Sequence, residues 1–224
     1  MKVLITGKGF IGSRLNGDFW EKKEGNNILD ISSCKAKYDL VIHTAASFDN
    51  NMFEDNILGT IAVVEQCKEW GAKLVFLSSA AVYGNNENAK ENSKLKPINL
   101  YGTSKQFGEW YIQRELKDWV ILRLSNVYGK GGQGVVSQWL EKGSDLINGD
   151  GKQIRDFVYI DDVVSAINKA KKWQGIYNIS SGKGISINEL YEEIRYSKLD
   201  NSRAKLKGFE PRSLQEGLYD YYNG

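Results

Sequence analysis

Apolar and polar positions change period repeatedly along the chain. Short β-branched and apolar runs at residues 2–6 (KVLIT), 27–31 (NILDI), 39–43 (DLVIH), 73–78 (KLVFLS) and 119–124 (WVILRL) mostly lack polar alternation. That is the pattern of strands buried on both faces of a parallel sheet. Between them, residues 10–20, 56–70 and 103–116 space their apolar side chains as helices do, and Gly71 stops the second. Alternating strand and helix predicts an α/β fold, a doubly wound parallel (Rossmann) sheet with right-handed crossovers. Beyond Tyr128 the rhythm breaks. Glycines crowd residues 129–134, a short helix is expected near 135–141, and strands at 154–159 and 176–179 alternate with helices at 161–172 and 187–194. The expected organisation is a core over 1–128 and a small C-terminal lobe over 129–224, interleaved with the end of the core.

Composition changes this picture little. With 224 residues, 41% hydrophobic and 26% charged, the chain can bury an ordinary core. Thirty basic against 28 acidic side chains leave a net charge of +2, which gives no electrostatic case for nucleic acid or an anionic membrane as partner. Cys34 and Cys67 are too few for a disulfide framework, and no metal-ligand set is expected. No apolar run reaches the roughly 18–20 residues of a membrane span. The first strand runs straight into glycines without a cleavage site. A cytoplasmic setting is expected.

The first strand ends in Gly7-Lys8-Gly9-Phe10-Ile11-Gly12, a G-x-G-x-x-G between strand and helix. Here Gly7 permits the tight turn, Gly9 lets a pyrophosphate approach the backbone, and Gly12 allows close helix–strand packing. The helix N-terminus would face the phosphates. The reading is dinucleotide binding over mere turn chemistry. Asp30, at the end of 27–31, stands where an acid would bind a ribose hydroxyl and favour NAD; the alternative is a solvated strand-end carboxylate. Lys8 and Arg14 lie close enough to accept a 2′-phosphate, so NADP stays open.

Tyr101-Gly-Thr-Ser-Lys105 is Y-x-x-x-K at a helix start, with both side chains one turn apart on one face. The lysine is expected to lower the phenol's pKa, so that Tyr101 exchanges a proton with a substrate hydroxyl, and to hold the cofactor ribose. Ser79 directly follows the strand of residues 73–78, at the carboxyl end where ligands bind in open α/β folds.

With TGKGFIGSRL (6–15), VIHTAA (41–46), NILGT (56–60), FLSSAAVYG (76–84), YGTSK (101–105), LRLSNVYG (122–129), GDGKQIRDFVYIDDVVSAI (149–167) and YNISSGKGISINEL (177–190), the chain resembles the NAD-dependent epimerase/dehydratase family of extended short-chain dehydrogenases/reductases. The resemblance implies a nucleotide-sugar substrate. It implies that Ser79 binds the reacting sugar oxygen, with Tyr101 as acid/base and Lys105 as its partner. Ala45 and Ala46 would line the cofactor and Asn56 would brace it. Asn126 and Arg155 would meet substrate phosphates, with Arg195 standing in for an arginine on a loop this chain skips. Arg123 and Asp156 read as structural ion-pair residues, and His43 as lining or packing. The chain is also shorter than the family's usual length: a strand–helix unit is expected to be missing after Ile31, which would move Asp30 towards the adenine.

Ala80 and Ala81 follow Ser79 where dehydrating relatives carry an acid pair, and a lone histidine supplies no second acid–base pair. The resemblance therefore implies a 4-epimerase working through a transient 4-keto sugar with retained NAD. An NAD(P)H-dependent 4-keto reductase and a non-catalytic dinucleotide binder are the alternatives. Helices 56–70 and 103–116, apolar on more than one face, are expected to pair two copies in a homodimer.

Overall fold

The computed structural model describes residues 1–21, 25–86, 88–143, 146–196 and 212–223. The chain divides into two compact units, Met1–Arg123 with Ile167–Asn178, and Leu124–Ala166 with Ile179–Gly224. Its strands are β1 (Val3–Thr6), β2 (Asp18–Trp20), β3 (Leu40–His43), β4 (Lys73–Ser79), β5 (Trp119–Leu124), β6 (Asn126–Tyr128), β7 (Ile154–Tyr159), β8 (Gly175–Ile179) and β9 (Gly184–Ser186).

The larger unit is built on a 6-stranded sheet in the order β2-β1-β3-β4-β5-β8. β1 pairs in parallel with β2 on one side and β3 on the other, and β3 pairs in parallel with β4. The winding therefore reverses at β1, and the carboxyl ends of β1 and β3 border the crevice where such sheets take ligands. Apolar side chains without alternation fill both faces: Leu4, Ile5, Val41, Ile42, Leu74 and Val75 are all buried.

Two expected elements are replaced. Residues 10–20 do not form a helix: a single 3-10 turn, Gly12–Arg14, is followed directly by β2. The apolar spacing of Phe10, Ile11 and Leu15 supports one turn only, because Asn16 and Gly17 interrupt it. A Cβ on Gly17 would lie 2.9 Å from the Val3 carbonyl oxygen, so glycine lets the chain fold back against β1. Residues 7–17 thus make a parallel crossover shorter than the dozen or more residues usually needed. Residues 27–31 are not a strand either. They belong to a 3-10 helix, Ile28–Ser33, whose first turn is capped by the Asn27 side chain accepting from the Leu29 N–H at 3.1 Å. Residues three apart eclipse in a 3-10 helix, which sends Ile28 and Ile31 together into the core. On this side of β1 the sheet has one strand, β2.

A π-helical turn, Phe53–Leu58, leads into α1 (Gly59–Trp70), which stops at Gly71 with φ 66°. α2 (Leu100–Glu115) begins at Asn99, whose side chain accepts from the Gly102 N–H at 2.7 Å. Val63, Val64 and Cys67 of α1 and Ile112 of α2 join the core with Phe76 and Ile121.

The smaller unit holds a 3-stranded sheet in which β7 lies between β6, parallel, and β9, antiparallel. With it go α3 (Val135–Lys142), α5 (Ile187–Tyr196) and α6 (Leu214–Asn223), while α4 (Ile160–Ala170) carries the chain from this unit to the larger one. α6 packs on Tyr128 at Gly217, where a Cβ would meet the phenol oxygen at 1.8 Å. Among the described residues no helix is long and apolar enough to cross a membrane.

Candidate active site

The three glycines of the first turn have different surroundings. At Gly7, φ is 90° and a Cβ would lie 3.0 Å from Cα of Ala45, so the turn rests on the segment leaving β3. At Gly12 a Cβ would fall 2.1 Å from the Gly7 carbonyl oxygen and 2.8 Å from Thr44 Oγ1. No side chain fits at either place. At Gly9 a Cβ would meet nothing within 4 Å. Two glycines are thus required by packing, and the third opens onto space that a pyrophosphate can fill. Thr44 Oγ1 donates to the carbonyls of Thr6 and Gly7, both at 2.8 Å, and so ties β3 to the turn. Phe10 and Ile11 are half-buried beside it, Ala45 is half-buried and Ala46 exposed.

The expected helix N-terminus is absent, since a 3-residue turn has no macrodipole to offer. Any phosphate here meets individual backbone N–H groups. Asp30 lies exposed on the 3-10 helix and not at a strand end, as expected from the sequence. The acid that does follow the second strand is Glu21, directly after Trp20. The pair of aromatics closing β2 was the available signal. Lys8 lies over the Phe19 ring at 4.8 Å, and Arg14 donates to the Phe10 carbonyl at 2.5 Å.

Ser79 is the last residue of β4, and its Oγ accepts from the Ala81 N–H at 3.2 Å, capping the 3-10 turn Ala80–Tyr83. Asn99 starts α2 so that Tyr101 falls in its first turn and Lys105 in the next. The Ser79 hydroxyl lies close enough to the Tyr101 phenol to act on its titration. Lys105 is buried, its Nζ 4.9 Å from the Phe76 ring centroid and 5.8 Å from that of Tyr101. The three residues predicted from the sequence are therefore brought together. Their electrostatics differ from expectation. Burial pushes the Tyr101 phenol up to about 12, against the nearby Ser79 hydroxyl, while burial pulls the Lys105 ammonium down to about 8 against the carboxylate of Glu109. Desolvation is the larger influence on the phenol.

Beneath them lies a network that sequence reasoning missed at Glu109. This carboxylate accepts Ser78 Oγ at 2.5 Å and Arg123 Nε and Nη2 at 2.9 and 2.6 Å. Arg123 also donates to Tyr83 Oη (2.7 Å) and the Glu91 carbonyl (2.9 Å). Arg123 is thus the structural ion-pair residue expected. An arginine inside WVILRL had to find a buried acid, which was the missed signal. Asn56, also buried, accepts from the Ser47 N–H and donates to the Ser47 carbonyl, both at 2.8 Å, and to Ser104 Oγ at 3.2 Å. It braces the segment after β3 against α2. His43 is sealed between Thr6 Oγ1 (2.6 Å) and Thr60 Oγ1 (3.2 Å), and burial, aided by the Lys105 charge, lowers it to about 3. It is a neutral packing group.

In the smaller unit, Asn126 on β6 pairs in register with Phe157, two residues along β7 from Arg155. Asn126 and Arg155 thus share one face of this sheet. Both are exposed; Asn126 donates to the Asp156 carbonyl at 2.9 Å, and Arg155 to the Ile154 carbonyl at 2.9 Å. Asp156 was expected in an ion pair. It instead accepts the N–H groups of Ser181 and Gly182 and the Ser181 hydroxyl, closing the turn before β9. Ser125 Oγ, next to Asn126, is the single buried side-chain polar atom without a hydrogen-bond partner among the described residues. Arg195 falls in the last turn of α5, and its side chain lies outside the described residues.

Known proteins share this architecture and these segments. The profile of the NAD dependent epimerase/dehydratase family matches residues 15–180. A protein of Methanocaldococcus jannaschii named "Putative UDP-glucose 4-epimerase" is 40% identical over 227 residues, covering 80% of this chain and 74% of that protein. Among solved structures, the UDP-glucose 4-epimerase of Thermotoga maritima with UDP-glucose superposes with a TM-score of 0.79 at 27% identity, over 100% of this chain and 99% of that one. The dTDP-4-dehydrorhamnose reductase of Bacillus anthracis in complex with NADP gives 0.82 at 25% identity, over 100% and 99%. By the length of the profile match and the identity to its relative, this chain belongs to the NAD dependent epimerase/dehydratase family.

Proposed function

We propose that this chain is a nucleotide-sugar 4-epimerase that works through a transient 4-keto sugar, with NAD held on the turn of residues 7–12. The observation that carries the reading is the meeting of Ser79, at the carboxyl end of β4, with the Tyr101 phenol, and Lys105 buried beside that ring. The open space at Gly9 between two close-packed glycines suits the pyrophosphate. NAD, when bound, supplies the hydride acceptor, the later hydride donor and, while oxidised, a positive charge. Ser79 Oγ holds the sugar's C4 oxygen. Tyr101 Oη takes the C4 hydroxyl proton as the C4 hydride leaves, and returns it when the hydride comes back to the other face. Lys105 holds the cofactor ribose, and Asn56 keeps the strand-end loop in place. Asn126 and Arg155 are assigned to substrate phosphates. Ala80 and Ala81 in place of an acid pair, and a sealed, neutral His43, favour chemistry with one proton and one hydride over dehydration.

The test is incubation of the purified protein with UDP-glucose and with UDP-N-acetylglucosamine, without added cofactor, and separation of the products by anion-exchange chromatography. A 4-epimer formed by enzyme whose denatured supernatant releases NAD supports the reading. Consumption of NAD(P)H with a 4-keto sugar, and no epimer, would make it a reductase. Bound dinucleotide without turnover of any sugar would make it a binder.

The same reading includes a homodimer through α1 and α2. Phe107, Trp110 and Tyr111 cluster on α2 with ring centroids 5.8–6.3 Å apart, and Trp110 is 51% exposed. Aromatics of this kind are enriched at interfaces. A monomeric mass by light scattering at every concentration would reject the dimer. Both cysteines are free thiols, which suits a cytoplasmic setting.

A further inference from the structure

Phe48 is one of the most exposed large side chains of the larger unit, at 67%, yet its position is tightly fixed. The residue before it, Ser47, is clamped through both backbone groups by the buried side chain of Asn56. Ser47 Oγ is bonded to the Asp49 carboxylate, which also accepts the Asn51 N–H at 2.9 Å. Asn56 is in turn bonded to Ser104 on α2, three residues from Tyr101. Through this clamp the Phe48 ring stacks on the Tyr101 ring, with centroids 4.3 Å apart and planes at 29°. A solvent-facing phenylalanine held by buried amide bonds gains nothing from its own burial. What it covers is one face of the phenol.

We propose that Phe48 is a positioning residue for Tyr101: its ring lies between the phenol and solvent and keeps water from the hydroxyl that exchanges the proton. The inference rests on the proposed role of Tyr101. The groups around that phenol are Ser79 from β4 and Lys105 from its own helix; His43 on β3, neutral, sits near Lys105, and Asp49 turns to Ser47 and Asn51. None of these replaces the stacked ring as a barrier to water. With Phe48 in place the proton moves only between the phenol oxygen and the sugar oxygen held at Ser79, and is not lost to water. Without it, hydration stabilises the phenolate and the phenol becomes more acidic.

The decisive measurement is nitration of Tyr101 by tetranitromethane, which needs an accessible phenolate and no turnover. The modified peptide is followed by mass spectrometry and identified by its loss in Tyr101→Phe. Phe48→Ala is expected to raise the nitration rate at Tyr101 about tenfold, the change in phenolate that one pKa unit makes. Phe48→Trp keeps a flat ring and is expected to keep the wild-type rate. In the turnover assay, Phe48→Ala moves the limb of the kcat–pH profile that reports Tyr101 down by about one pH unit. Wild-type nitration of Phe48→Ala, or an unmoved limb, overturns the proposal. A protein that turns over no sugar but shows the nitration difference would refute the epimerase and leave the shielding intact.

Discussion

The Glu109 carboxylate receives Arg123 through Nε at 2.9 Å and Nη2 at 2.6 Å, and neither side chain is more than 3% exposed. Removing one partner leaves a buried charge uncompensated, whereas replacing both by apolar groups removes the desolvation cost as well. Glu109→Gln and Arg123→Met are each expected to cost on the order of 3–5 kcal/mol. The double variant Glu109→Leu/Arg123→Met should lose less than the two single losses combined. Urea unfolding of all four proteins is the check; single variants as stable as the wild type would mean that the pair does not hold the base of the site.

His43 makes acid stability depend on a single ring. Its folded pKa of about 3 lies below the ordinary 6.5, so as pH falls the unfolded chain takes up the proton first. The neutral, buried form therefore contributes stability above pH 6.5, which is lost between 6.5 and about 3 at up to about 1.4 kcal/mol per unit. His43→Gln should be less stable at pH 7, yet show a shallower loss of stability between pH 6 and 4. Parallel curves for the two proteins would show that the ring is protonated in the native state.

The lysine is expected to trade stability for chemistry. Burial holds Lys105 at about 8, below its ordinary value, so at pH 7 its ammonium is a cost that the unfolded chain does not bear. Lys105→Met should raise Tm by several degrees and abolish turnover. Tyr101→Phe should abolish turnover while leaving dinucleotide affinity near wild type, because only a transferable proton is removed. Calorimetry with a dinucleotide titration separates the two variants. A lower Tm for Lys105→Met would place the lysine in the structural network with Glu109.

Arg155 is exposed and, among the described residues, donates only to the neighbouring carbonyl, which leaves its guanidinium open to a phosphate. Arg155→Ala should raise KM for a nucleotide sugar by about tenfold to a hundredfold, the worth of a charge-assisted contact of about 1.5–3 kcal/mol. Tm and free-NAD affinity should stay unchanged. A drop in Tm with KM unaltered would return Arg155 to a structural role.

Much of this was legible in the sequence because the strands of a buried parallel sheet announce themselves. Trp119–Leu124 and Ile154–Tyr159 were delimited to the residue, and Ser79, Tyr101 and Lys105 did meet. Residues 10–20 misled because three apolar positions mimic a helix for one turn, and nothing local shows that Gly17 serves a close approach to Val3. Residues 27–31 misled because β-branched composition outweighed a cap at Asn27. Glu109 and Phe48 were overlooked for one reason. The role of each depends on a partner distant in sequence, and no periodicity encodes that.

The short link between β1 and β2 has an optical consequence. The Gly7 amide that opens the glycine turn donates to the Trp20 carbonyl at 3.0 Å, and the Trp20 indole donates to the Asn27 carbonyl at 2.8 Å. With no intervening helix to absorb displacement, a ligand that moves the turn pulls on an indole hydrogen bond at the sheet edge. The protein carries its own fluorophore on the hinge of its glycine turn, and Trp20 emission, isolated by comparison with Trp20→Phe, becomes a direct gauge of occupancy there.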